Sequence, residues 1–158
     1  MKSFVPLLAA AIALHATPLC AAPDYTGFNQ AVTNYFSALD GVAKKVPSVK
    51  DAAGTADLIN AWSLANEIFA AAAEKFAKDN PEIQGLSQPP PEFAAAFGRL
   101  NRLNTDYPTL PKTVGALVEQ FKDDPGVFQA FTRFQKSLVR LHISGSLQKS
   151  DNPSQSLK

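Results

Sequence analysis

The sequence predicts an all-α fold, an antiparallel helical bundle of four to five helices preceded by a signal peptide. Three observations carry this expectation. Apolar residues recur at alternating steps of three and four through five successive segments, the period of one helical face. No stretch alternates apolar and polar residues for long enough to make a strand. The 12 prolines fall almost entirely between the periodic segments, where proline ends one helix or opens the next.

Residues 1–21 have the layout of a secretory signal peptide. Lys2 supplies a positive start, Phe4 to Leu14 an apolar run broken only by Pro6, and Cys20-Ala21-Ala22 a small-residue exit. About eleven apolar residues are too few to span a bilayer, which needs about 20. Cleavage is expected after Ala21, with Leu19 and Ala21 at the −3 and −1 positions; a cut after Ala22 would leave Pro23 directly behind it. The alternative is lipidation of Cys20. However, Thr17-Pro18-Leu19 nearly reverses the order of a bacterial lipobox, which wants Leu first and a small residue last. Processing then leaves one helical domain, 22–145, and a Ser-, Gln- and Asn-rich tail, 146–158, expected to be disordered.

The first helix is predicted over 27–46, with Phe28, Val32, Tyr35, Leu39, Val42 and Val46 on one stripe, Thr26 as N-cap and Pro47 as the stop. The second is predicted over 55–79. Leu58, Trp62, Ala65, Phe69, Ala72 and Phe76 form its stripe, Ile59 and Ile68 widen it, and Gly54-Thr55 supplies a break and a cap. Trp62, in the middle of that stripe, is expected to be buried. Glu67 and Glu74, with Asn60 and Asn66, read as its solvent face. A proline-rich connector covers 80–91, held extended by Pro89, Pro90 and Pro91. The third helix, 91–106, turns Phe93, Phe97, Leu100 and Leu103 inward, followed by Tyr107; the fourth, 112–122, carries Val114, Leu117, Val118 and Phe121. The fifth, 125–144, opens on Asp124 as N-cap and Pro125 at the first helical position. It is expected to turn Val127, Phe128, Phe131, Phe134, Leu138 and Leu141 inward and to end at Gly145. Residues 91–100 echo residues 125–134: Pro, Ala, Phe and Arg stand at matching offsets. No third copy begins at residue 57, so the echo reads as two amphipathic helices that both start at proline.

Composition excludes most chemistry. Cys20 is the only cysteine and leaves with the signal, so disulfides, zinc–cysteine sites, iron–sulfur clusters and covalently attached haem leave with it. Without Lys2 the 15 basic residues fall to 14, equal to the 14 acids, and a neutral chain is not built for nucleic acid. Apart from His15 in the signal, His142 is the only histidine, placed near a helix C-terminus where the dipole favours it. No glutamate has a histidine three residues on, as a di-iron bundle requires; no nucleophile elbow or glycine-rich phosphate loop occurs. No cofactor, metal site or catalytic residue is therefore expected.

Aromatic content is the remaining signal. All of the 11 phenylalanines except Phe4 survive processing, and Phe121, Phe128, Phe131 and Phe134 crowd the last helix and its approach. Arg133, Lys136 and Arg140 fall on one face of that helix, and Arg99 and Arg102 on the third. The expected function is an exported, non-catalytic binding protein of the bacterial cell envelope, periplasmic or secreted, meeting a protein or envelope component through these residues. Membrane attachment is expected only if Cys20 is lipidated. The alternative is a carrier that holds a small hydrophobic ligand or lipid between the Phe-rich helices; an enzyme ranks third. A carrier needs a pocket of about 300 Å³ or more, and a docking module an exposed stripe without one.

Overall fold

The computed structural model describes residues 25–81, 83 and 90–146. The signal peptide, most of the connector and the tail beyond Ser146 lie outside the described residues. Six α-helices form among those described, with a 3-10 turn after the first, and no strand does: α1 (Tyr25–Lys45), the turn Val46–Ser48, α2 (Ala52–Asp79), α3 (Pro91–Asn101), α4 (Leu103–Asp106), α5 (Leu110–Gln120) and α6 (Pro125–Ser146).

The helix starts follow local hydrogen-bond chemistry. Asp124 caps α6 as expected, its Oδ1 accepting from the Gly126 and Val127 N–H groups at 2.8 and 3.0 Å, with Pro125 behind it. Pro91 likewise opens α3, after Pro90 in an extended conformation (φ −55°, ψ 152°). The start of α2 differs from expectation. Asp51, not Thr55, is the N-cap, and its Oδ1 accepts from the Gly54 N–H at 2.7 Å. Gly54 does not break the helix because its N–H is one of the first-turn donors without an intrahelical acceptor, which the carboxylate satisfies. Thr55 then sits one turn inside and buried, its hydroxyl donating to Asp51 O.

The predicted third helix divides. Arg102 adopts φ −93°, ψ 4°, its N–H reaches back three residues to Arg99 O, and the short α4 restarts beyond it. That break accounts for the sixth helix. Helix α5 begins at Leu110, two residues early, with Pro111 in its first turn. Helix α6 continues through Gly145 to Ser146, so Gly145 is not its cap.

Helices α1 and α2 form an antiparallel pair: Tyr25 meets Phe76 and Tyr35 meets Phe69. The antiparallel order does not extend to α6. Glu67 pairs with Arg133 and Glu74 with Arg140, so α6 lies along α2 in the same direction, in the most extensive helix–helix contact of the described chain. Parallel neighbours need a long return connection, and residues 80–124 provide it. Helix α3 runs along α1 in the same sense, with Phe93 against Phe28 and Arg99 over Phe36.

Two faces of α2 therefore carry two kinds of core. Toward α1 and α3 it is aromatic. The Phe28 ring centroid lies 4.8 Å from those of both Phe76 and Phe93, and Phe76 stacks on Phe93 at 5.5 Å. Such pairs add about 0.5–1.5 kcal/mol each beyond the area they bury. Toward α6, Ile59, Ser63, Asn66 and Ala70 recur at steps of four, three and four, all buried. Facing them, α6 buries Val127, Ala130 and Ser137.

This seam overturns three expectations. Asn66 is not on the solvent face: it is fully buried, accepts from Tyr35 Oη at 3.1 Å and donates to Ser137 Oγ at 3.0 Å. Phe128 and Leu138 do not face inward; they are 66% and 42% exposed. Small Ala130 and Ser137 take the contact with α2, and Phe128 is rotated by about 100° from buried Val127. Ile68 is likewise exposed on α2 instead of widening its buried stripe. Trp62 is buried as expected, 9% exposed, with its ring 4.9 Å from that of Phe134.

Candidate ligand-binding cavity

Where α5 rests on the molecule, packing is incomplete. A cavity of about 290 Å³ lies between the α4–α5 segment and α6. Tyr35 and Leu39 of α1 and Trp62 of α2 contribute to its lining. Leu103, Tyr107, Leu110, Val114 and Val118 line one side, and Phe131, Phe134, Leu138 and Leu141 of α6 the other. Exposed Asn104, Pro111, Gly115 and Leu138 mark its mouth. Its origin is steric. The buried stripe of α6 on α2 uses Val127, Ala130 and Ser137, which leaves the flank carrying Phe131 and Leu138 to α5. That helix has only 11 residues and covers the flank in part.

The polar atoms of the lining are few. Tyr35 Oη donates to Asn66, and burial pushes its pKa up to about 12. The Trp62 indole N–H nearby pulls that value slightly back, but its approach falls short of a hydrogen bond, so Trp62 Nε1 is buried without an acceptor. Tyr107 Oη is turned away toward α1, 2.5 Å from Asp40 Oδ1 and 3.2 Å from Phe36 O. Burial and the Asp40 carboxylate raise its pKa, also to about 12. Both phenols are neutral at ordinary pH, and no charged side chain lines the cavity. The polar groups of the lining are two phenols, an indole and the amide of Asn104, and the rest of its wall is aliphatic or aromatic carbon and glycine backbone.

A larger cleft of about 540 Å³ lies behind the Tyr107–Leu110 wall, which the two share, and it is lined in part by Lys50, Asp106, Thr109 and Thr113. Its walls are mixed in polarity. Among the described residues no group of three or more His, Cys, Asp or Glu side chains is placed to hold a metal ion. No described helix is long and apolar enough to cross a membrane.

The residues singled out from sequence do not converge. Phe131 lines the cavity, and Phe128 stands outside it in solvent. Arg133 makes a two-pronged pair with Glu67 at 2.8 and 2.7 Å, and Arg140 repeats it with Glu74 at the same distances. The guanidinium of Arg133 holds the Glu67 carboxyl below its ordinary range. Both arginines thus clamp α6 to α2. Arg99 lies over the Phe36 ring, 4.4 Å from its centroid, a cation–π contact on α1. Arg102 sits exposed at the break after α3, and Lys136 is exposed on α6. Sequence reasoning did not select Tyr35, Trp62, Leu110 or Val114 as site residues. Each lies on an apolar stripe or in the break before one, where a cavity wall and a filled core look alike.

Comparison with protein-family models, with characterised proteins and with solved structures finds no match to this chain.

Proposed function

We propose that this protein is an exported, non-catalytic carrier that binds a small, largely apolar molecule in the cavity between α5 and α6. The observation that carries the reading is the cavity itself: about 290 Å³, at the lower end of the size of ligand sites, with aliphatic and aromatic walls. Scaled from the roughly 150 Å³ that holds benzene, it takes a ligand of about a dozen non-hydrogen atoms. Export is supported by the signal-like residues 1–21 and places the carrier in the periplasm or outside the cell.

Native mass spectrometry of the protein recovered from its envelope fraction tests this. The expected result is a reproducible small added mass on the processed chain. Gly115 stands at the cavity mouth, and a Cβ built on it meets nothing within 4 Å, so a large side chain is accepted there without a clash at its root. The added mass should vanish in Gly115→Phe while its helical circular dichroism persists. A bare wild-type chain would sink the carrier reading. The second reading, docking of a protein or envelope component on α6, would then lead, supported by Phe128 and Val139, 66% and 60% exposed. Its mark is a binding partner lost on Phe128→Ser.

A further inference from the structure

Resting on the carrier reading, we infer that α5 is the lid of the cavity: it detaches as a unit to admit and release the ligand, while α1, α2 and α6 stay in place. The way each wall is fastened carries this. Helix α6 is clamped to α2 by the Arg133–Glu67 and Arg140–Glu74 pairs and by Asn66 donating to Ser137 Oγ. Helix α1 is joined to α2 through the Tyr35 hydroxyl, which donates to Asn66 Oδ1. Even short α4 is anchored at its end, where Tyr107 Oη reaches Asp40 and Phe36 O on α1. Helix α5 has no such fastening. Among the described residues, its side chains make no hydrogen bond or ion pair with any other helix: Thr113 donates to Thr109 O, and Glu119 pairs with Lys122 just beyond the helix end. Leu110 and Val114 are its buried residues, so apolar contact holds it, and the cavity interrupts that contact. Such contact is non-directional and sets no geometry that must be broken in one step. The helix is also weak in itself. Eleven residues are too few for a stable isolated helix, Gly115 lies in the interior, and Thr109 before it lends no side-chain cap. An element with few buried residues and no polar tie is the one that opens first in a native protein. The opening is bounded by two fixed points, Tyr107 on α1 and the Asp124 cap of α6.

The test locks the lid without touching the mouth. Lys50 and Thr113 are exposed residues that line the neighbouring cleft, on the edge of α5 opposite Pro111 and Gly115. With Cys20 removed the processed chain carries no cysteine, so Lys50→Cys with Thr113→Cys gives one pair to join with a reductant-cleavable bis-maleimide. The probe is 1-nitronaphthalene, a neutral quencher of tryptophan fluorescence with about a dozen non-hydrogen atoms. Its arrival is read by stopped flow on Trp62, the single tryptophan of the chain and part of the cavity wall. Joining should slow the onset of quenching about 10-fold or more, leave the quenching at equilibrium in place, and be reversed by the reductant. In the wild type without probe, the amides of α5 should exchange with deuterium about 100-fold faster than those of α1 and α2. An unchanged onset in the joined form would overturn the lid and leave the carrier reading standing, with entry through the mouth. Amides of α5 that exchange as slowly as those of α2 would overturn the lid equally. No quenching at equilibrium, joined or not, would overturn the carrier reading and the lid with it. Should the double variant fail to fold or to join, the wild-type exchange rates decide alone.

Discussion

Helices α3 and α6 begin with the same ten-residue pattern and end with opposite surfaces. Pro91 and Pro125 open them; Phe93 and Val127, then Ala96 and Ala130, are their matching buried positions. Even the matching arginines differ in fate: Arg99 lies on the Phe36 ring, while Arg133 is drawn into a carboxylate pair with Glu67. Against α1, α3 closes an aromatic cluster in which Tyr25, Phe28, Phe76 and Phe93 touch one another. Against α2, α6 uses small residues and leaves Phe128 and Val139 in solvent and Phe131 at a cavity. A helix that buries its neighbour through large rings fills the space between them. One that approaches through Ala130 and Ser137 comes in along a narrow seam, and its flanking rings must find a second partner. Helix α5 supplies that partner only in part, and the shortfall is the candidate site.

The contrast can be broken first at the closed side. Phe28→Ala removes the hub of the aromatic cluster and should destabilise the protein by about 3–5 kcal/mol, read from urea denaturation. A loss below about 1 kcal/mol would mean the cluster is not tightly packed. Asn66→Ala tests the seam between the two sides. It strands the buried Tyr35 hydroxyl and should destabilise by about 1–3 kcal/mol. An unchanged denaturation midpoint would show that the Tyr35–Asn66–Ser137 chain is idle. The same chain predicts a pH response. Tyr35 is held protonated in the fold, with its pKa raised from 10.0 to about 12. Its contribution is fully present below pH 10 and lost as pH rises toward 12, on the order of 2 kcal/mol. Tyr35→Phe should make that alkaline limb shallower in a pH series of melts, leaving the share that Tyr107 contributes, and a limb of undiminished slope would contradict the assignment. The smallest effect belongs to the open side. Phe128→Ala should change stability by no more than about 0.5 kcal/mol, because the ring is mostly in water already. A large loss there would erase the distinction between the two helices.

Much of the fold is legible in the residues themselves. The stripe Phe28, Val32, Tyr35, Leu39, Val42 and Val46 predicts most of the buried face of α1, because a period of 3.6 marks the side turned to α2; it misses Phe36, buried on the flank that meets Arg99 and Tyr107, and Val46 is only half-buried. Asp124-Pro125 predicts the start of α6 because capping is local chemistry. Helix α2 was harder. It has two buried faces, and the second is built of Ser63, Asn66 and Ala70, residue types that on an isolated helix read as surface or as filler. Phe128 and Leu138 failed for the complementary reason: hydrophobicity marks them as core, and only the place of the small residues shows that α6 is rotated away from them. The site follows the same logic. Phe131 was reachable from the aromatic crowding of α6, but Trp62 and Val114 give no sign in sequence of whether the space beside them is filled.

The sequence by itself determined the all-α class, the helix boundaries to within a few residues and most of the buried stripe of α1. It also ruled out cysteine chemistry by composition once Cys20 is removed. Those follow from the period of a single helix, from proline and capping geometry, and from counting. Tertiary structure alone decided that α6 runs parallel to α2, that Arg133 and Arg140 are held in ion pairs, that Asn66 is buried and that a cavity remains beneath α5. Each of these depends on how closely two particular helices approach. Spacing within one segment cannot encode that distance, because it arises from the fit of small side chains on both sides at once.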